Sequence, residues 1–286
     1  MSAQEDAIMF YLYTAFLGLV QGIAEFLPIS SSGHLSLLQN FFGLKSAEET
    51  NLFLDVLLHL GTLISVFIYY RHDLMDMIRE FIRGCGALVH PIEGEIHPPA
   101  ARRMVLLIIV GTLPLFIVLP IKGYIDNLYG NNWFIACALL ATGFLLFFSD
   151  RIAYGKKTER SATLLDAVLI GCSQALATVP GLSRSGTTIS AALLLGCRRE
   201  FAVRFSFLLS IPAVIGANIL TLVDAIQVGI DWKLMPAYLL GVVVSAVAGY
   251  FAIRLVNMLS NRGKFGNFAY YCWGVGLVAL ILTAVL

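Results

Sequence analysis

Charge is what this chain has least of. Only 13% of its 286 residues are Asp, Glu, Lys or Arg, whereas 58% are hydrophobic. A soluble domain carries about a quarter charged residues, because its surface has to face water. A soluble globular fold is therefore excluded. The net charge of +1 leaves no basic field for nucleic acid. Met1–Asp6 lacks a basic stretch, so no cleaved signal peptide is expected. The five cysteines (85, 137, 172, 197 and 272) show neither a CxxC pair nor metal-ligand spacing, and four of them lie in apolar segments, where small buried thiols are expected.

Long apolar runs take the place of the missing charge. Leu52–Tyr70, Met104–Ile121, Trp133–Ser149, Phe201–Val223, Leu234–Val256 and Asn267–Leu286 are each near the ~20 residues of a membrane-crossing helix. Lys and Arg are unevenly shared among the connections. Arg71–Arg103, Arg151–Arg160, the Arg198/Arg199/Arg204 cluster and the Arg254/Arg262/Lys264 cluster are basic, whereas Lys122–Asn132 and Asp224–Lys233 hold one lysine each. Basic loops mark the cytoplasmic side. That assignment threads the six spans consistently and leaves both termini outside. The expected fold is all-α and polytopic.

Two stretches remain, Ile8–Phe42 and Leu164–Cys197. The second starts and ends at basic, cytoplasmic loops, so it must enter the bilayer and return. Its centre is Pro180-Gly181-Leu182-Ser183-Arg184-Ser185-Gly186, and its return limb Thr188–Cys197 is only half a bilayer long, at about 15 Å. Ile8–Phe42 is read the same way, broken at Pro28-Ile29-Ser30-Ser31-Ser32-Gly33, although Ile8–Leu27 is long enough to span alone. Both stretches share a frame of Gln (21 and 174), a short apolar run, Pro, then Ser-x-Ser-Gly, and each is followed by three spans. Residues 1–150, with a re-entrant pair at 8–42, and residues 151–286, with one at 164–197, are thus expected to form an inverted-topology repeat. Non-helical backbone at membrane depth has to be buried in protein or line a wet cavity, so the two breaks should meet.

The meeting point collects Gln21, Glu25, Ser30, Ser31, Ser32, Gly33 and His34 with Ser183, Arg184, Ser185, Gly186, Thr187 and Thr188. Two helix N-termini and an arginine fork suit an anion, and a multiply charged diphosphate better than one carboxylate. His34 can serve as acid or nucleophile. Ser31 can attack or position phosphate, and Glu25 can hold a divalent cation or act as base. Of the two nucleophile candidates, His34 is the expected one. Bland alternatives stand beside these: a structural Glu25–Arg184 ion pair, serines that only cap helices, a structural His34. His59 reads as structural on an apolar span yet within reach of the site. His72, His90 and His97 read as solvated.

Gln21-Gly-Ile-Ala-Glu25-Phe-Leu-Pro28-Ile-Ser-Ser-Ser-Gly-His34 and Pro180-Gly-Leu-Ser183-Arg184-Ser185-Gly-Thr-Thr188 resemble the two motifs of the undecaprenyl-diphosphate phosphatases, or bacitracin-resistance proteins, over essentially the whole chain. The resemblance implies an enzyme of the bacterial inner membrane. It would convert undecaprenyl diphosphate to the monophosphate, recycle the lipid carrier for the cell wall, depend on a divalent cation (Mg2+ or Ca2+) and confer bacitracin resistance. It places catalysis on Glu25, His34, Arg184 and Ser31. Gln21, Ser30, Ser32, Gly33, Ser183, Ser185, Gly186 and Thr188 surround the substrate, with Glu25 on the metal. Gln21 stands where the pattern also admits Glu, which leaves one carboxylate in the motif. A homodimer is left open. The rival reading is a lipid-phosphate transporter or flippase using the same anion site. A purely structural scaffold would not require an arginine at depth.

Overall fold

The computed structural model describes residues 3–42, 48–87, 99–152 and 155–285. His90 and His97 lie outside them. Among the described residues there are twelve α-helices and no named strand. They are α1 (Ala3–Phe26), α2 (Ser31–Phe42), α3 (Glu48–Tyr69), α4 (Arg71–Ala87), α5 (Ala100–Thr112), α6 (Lys122–Asp126), α7 (Asn132–Ile152), α8 (Leu164–Leu176), α9 (Arg184–Leu194), α10 (Arg199–Val228), α11 (Met235–Asn261) and α12 (Phe268–Val285).

Seven stretches among these residues are long and apolar enough to cross a membrane: 8–26, 52–69, 100–130, 132–152, 199–228, 232–261 and 265–285. Six match the expected spans. The seventh is the first limb of the first broken pair. At 24 residues α1 is about 36 Å long, whereas its counterpart α8 has 13 residues. The two broken pairs are therefore unequal.

Two further departures have local causes. The expected span Met104–Ile121 is not one helix. Pro114 and Pro120 lack the N–H that α-helix continuation requires, and the backbone tightens there into 3₁₀ turns, Leu113–Ile117 and Leu119–Ile121. The basic connection after α3 folds into the helix α4. Its apolar residues recur every three to four positions, leaving Met75, Ile78, Phe81 and Ile82 exposed along one face.

The connections grouped by charge also meet in space. Arg204 on α10 bonds Asp73 of α4 at 3.3 Å and Glu159 of the 151–160 loop at 2.8 Å. At the poorly basic end, Lys122 lies 3.6 Å from Asp224. Two of the basic connections thus meet at Arg204, and the two poorly basic ones meet at Lys122 and Asp224.

Helix packing crosses between the halves of the chain. α1 lies along α11, and α8 lies along α5. Both contacts bring backbone onto backbone through glycine. A methyl on Gly22 would sit 2.5 Å from the Ser245 carbonyl oxygen, and one on Gly18 would collide with the Gly241 carbonyl. Gly171 of α8 meets the Gly111 carbonyl of α5 in the same manner. Lipid tails are as apolar as leucine, so close packing and small residues, not hydrophobicity, hold such helices together. α7 packs against α12 and α3 against α10. The two short helices α2 and α9 thereby point their first turns inward.

Candidate active site

Each break is closed by a serine cap. Ser30 Oγ accepts from the Gly33 N–H at 3.2 Å, and Ser183 Oγ accepts from the Gly186 N–H at 3.1 Å. The next serine hydroxyl lies beside each cap, Ser30 with Ser32 at 3.4 Å and Ser183 with Ser185 at 3.3 Å. The match places Ser31 and Arg184 at the same position of the two loops, one residue into the helix. The loops touch each other: Ser185 Oγ donates to the Leu27 carbonyl at 3.3 Å. A Cβ on Gly33 would stand 3.0 Å from the Gly181 Cα. Each loop also hangs from a neighbouring helix. Thr142 on α7 donates to the Gly181 carbonyl at 3.1 Å, and the Cys272 thiol on α12 donates to the Pro28 carbonyl at 3.4 Å.

Everything converges on Glu25, buried in the last turn of α1. Ser31 donates to its Oε2 at 2.9 Å, Arg184 to its Oε1 at 2.7 Å, and Gln21 Nε2 to its Oε2 at 3.1 Å. The i,i+4 spacing of Gln21 and Glu25 puts them on one helix face. His59 reaches the group as well, with Nε2 3.9 Å from Glu25 Oε2, while its Nδ1 lies 2.9 Å from the Asp55 carbonyl. The first N–H groups of α2 and α9 have no intrahelical acceptor and add positive potential at the same point.

His34 is placed elsewhere. Its Nδ1 lies 2.8 Å from the Ser30 carbonyl and its Nε2 2.9 Å from the Tyr271 hydroxyl, with the two rings stacked at 5.6 Å. A carbonyl can only accept, so Nδ1 carries the proton and Nε2 accepts from Tyr271. Ser30 is the one non-glycine residue at positive φ among those described, at 68°. Such a backbone costs energy, and the bond from His34 to its carbonyl helps hold it. Thr188 is turned from the convergence point too. Its hydroxyl bonds Ser206 of α10 and the Arg184 carbonyl.

Two spaces adjoin the group and share Glu25 and Arg184 in their walls. A narrow recess is bounded by Glu25, Ser30, Ser31, Ser32, Ser183 and Arg184. A cavity of about 530 Å³ begins at Glu25, His59 and Arg184 and runs past Leu115, Phe116, Val214 and Leu220 to Lys122. The first is narrow and polar. The second is walled by aliphatic and aromatic side chains, as a lipid chain requires.

Among the described residues no group of three or more His, Cys, Asp or Glu side chains could hold a metal ion. The donors do fit a hard cation bound mainly through substrate phosphates, since such ions take one or two carboxylates and oxygen ligands. Glu25 supplies the carboxylate, and the buried Gln21 Oε1 has no partner among the described residues.

Sequence reasoning missed Tyr271, whose link to His34 spans the length of the chain, and Ser206. No sequence signal marks either. Gln174 entered only as a marker of the repeat, yet it lines the cavity beside Glu25 and Arg184.

The profile of the family described as "Bacitracin resistance protein BacA" matches residues 14–278. A protein of Methanosphaera stadtmanae named undecaprenyl-diphosphatase is 38% identical over 279 residues, covering 96% of this chain and 99% of the relative. One of Carboxydothermus hydrogenoformans with the same name is 39% identical over 274 residues, covering 94% and 95%. One of Halothermothrix orenii, again so named, is 37% identical over 271 residues, covering 94% and 97%. The match reaches both loops and the helices that carry them, and the chain belongs to the bacitracin resistance protein family.

Proposed function

We propose that this protein is an undecaprenyl-diphosphate phosphatase, releasing phosphate from undecaprenyl diphosphate and leaving the lipid monophosphate. The observation that carries the reading is the convergence of Ser31 and Arg184, from two separate breaks, on the one carboxylate of Glu25. That group sits at the junction of a polar recess and an apolar cavity. A diphosphate with a long hydrocarbon tail fits that junction. Turnover returns the lipid carrier to cell-wall synthesis and lowers the pool of diphosphate that bacitracin sequesters.

The terminal phosphate occupies the recess, held by the Arg184 fork and by the N–H groups opening α2 and α9. Ser31 Oγ attacks its phosphorus as Glu25 takes the hydroxyl proton across 2.9 Å. The bond from phosphorus to the bridging oxygen breaks, and the lipid monophosphate leaves with that electron pair and takes the proton held on Glu25. Water then attacks the phosphoserine as Glu25 accepts its proton and passes it to Ser31 Oγ, the leaving group, and inorganic phosphate is released. Glu25 with Gln21 Oε1 would hold a divalent cation (Mg2+ or Ca2+), which when bound neutralises diphosphate charge. His34 acts through the Ser30 carbonyl to fix the loop that presents Ser31.

We read the halves 1–150 and 151–286 as an inverted repeat, each a re-entrant pair with three spans. The matched caps and the crossed packing of α1 on α11 and α8 on α5 support this reading. The Asp73–Arg204–Glu159 end faces the cytoplasm, and lipid reaches the cavity from the external side beside Lys122.

Purified protein in detergent, where no gradient exists, should release inorganic phosphate from polyprenyl diphosphate. Binding without release would reject the enzyme in favour of a carrier. For orientation, a cysteine at exposed Asn127 should react with an impermeant thiol reagent in intact cells, and one at exposed Lys156 only after lysis, on a background without native cysteines. Labelling of Lys156→Cys from outside would invert the topology.

A further inference from the structure

Gln174 is 1% exposed, and neither atom of its carboxamide has a hydrogen-bond partner among the described residues. A buried amide that bonds nothing costs stability and is rare in a native structure, so the group calls for an explanation. Its counterpart shows what is missing. Gln21 has a carboxylate four residues on and donates to it. Four residues after Gln174 stands Thr178, whose hydroxyl is turned to the Ala175 carbonyl at 2.8 Å. The same glutamine therefore has an internal partner in one half of the molecule and none in the other. α8 has little freedom to rotate the amide away, because Gly171 is locked on the Gly111 carbonyl.

Gln174 is one of the residues around the large cavity, with Glu25, His59 and Arg184, and does not border the narrow recess. Resting on the reading above, the terminal phosphate lies in that recess, next to Ser31. The lipid-linked phosphate then lies on the cavity side, where the tail departs. We propose that Gln174 is a binding group for this lipid-linked phosphate, with Nε2 donating to a non-bridging oxygen. The same phosphate gains negative charge as the bridging bond breaks, so the contact tightens toward the transition state and persists in the product.

The test is inhibition and direct binding of polyprenyl monophosphate, compared with inorganic phosphate, on the purified full-length protein. Gln174→Leu should weaken polyprenyl monophosphate about tenfold or more, the loss of one hydrogen bond to a charged group. Inhibition by inorganic phosphate, which needs only the recess, should hold within about twofold by the same argument. The unfolding temperature should stay level or rise, because an unpaired buried amide is gone. Gln174→Met keeps the side-chain length and carries the test should leucine not pack. Unchanged affinity for the monophosphate would overturn the proposal, as would equal weakening of both ligands. If the unsubstituted protein bound polyprenyl monophosphate but released no phosphate from the diphosphate, the enzyme reading would fall instead.

Discussion

The two breaks share a backbone plan and divide the chemistry. Each has a proline, a serine cap on a glycine N–H and a paired second serine. At the first helical position one carries Ser31 and the other Arg184, and four residues after the shared glutamine one carries Glu25 and the other Thr178. On the proposed mechanism the first break supplies nucleophile and base, and the second supplies the permanent cation. A symmetric frame is well suited to this, since two inward-facing helix ends offer an anion twice the dipole of one, while a reaction needs unlike groups on either side of phosphorus.

The comparison is broken most severely by removing the unlike groups. Arg184→Ala should lower kcat/KM by about 10³-fold or more while the protein still inserts, as for loss of a key charge-stabilising donor. Arg184→Lys should recover only part of that, because a point charge cannot make the fork contact. Near-normal turnover by the lysine protein would reject the clamp. Ser31→Ala should also be strongly impaired, and rapid-quench mass spectrometry of the unsubstituted enzyme should find phosphate on Ser31. A phosphoryl group on His34 would reassign the nucleophile and require that ring to leave Tyr271.

Glu25→Gln comes next, with a fall in maximal rate of about 10²- to 10⁴-fold for loss of a general base. A metal titration sharpens its role. If Glu25 also holds the cation, half-maximal activity should need more metal, and an unchanged requirement would confine Glu25 to proton transfer. The backbone of the breaks sets a smaller effect. Gly181 has φ 92°, and a Cβ there would lie 2.6 Å from the Ile135 carbonyl. Gly181→Ala should therefore cost about 1–3 kcal/mol in thermal or denaturant unfolding. Ser30→Gly should cost less, since relief of its positive φ offsets the lost cap, worth about 1 kcal/mol. The reverse ranking would show that the loops are not held alike. Tyr271→Phe should have the smallest effect, a severalfold loss of activity with unchanged fold, from removing about one net hydrogen bond.

Much of this arrangement is legible in the chain because its signals are local. Apolar runs mark the spans, and proline with Ser-x-Ser-Gly marks the breaks. The spacing of Gln21 and Glu25 sets them on one face of any helix that holds both. The asymmetry of Lys and Arg sorts the loops that Asp73, Glu159 and Arg204 join. What is not legible depends on distant partners or competing geometry. His34 looks like part of the reactive cluster in sequence, yet its ring is turned by Tyr271, 237 positions away. Met104–Ile121 has the composition of a span, but proline chemistry shortens its helix. The full length of α1 against the short α8 is open in the chain, because Ile8–Leu27 reads equally as one limb of a break and as a span.

The crossed glycine contacts also govern how the protein comes into being. α1 is made first, but the carbonyl that Gly18 packs against belongs to Gly241, near the end of synthesis. Until α11 arrives, the helix bearing Glu25 has its glycine groove unmatched, and α2 and α3, which also contact it, are the earlier companions available. Final assembly therefore waits on a closure between distant parts of the chain, the slow step expected where contacts are remote in sequence. The Glu25 carboxylate is synthesised early but seated late, so an incomplete chain carries the acid without the groups that converge on it.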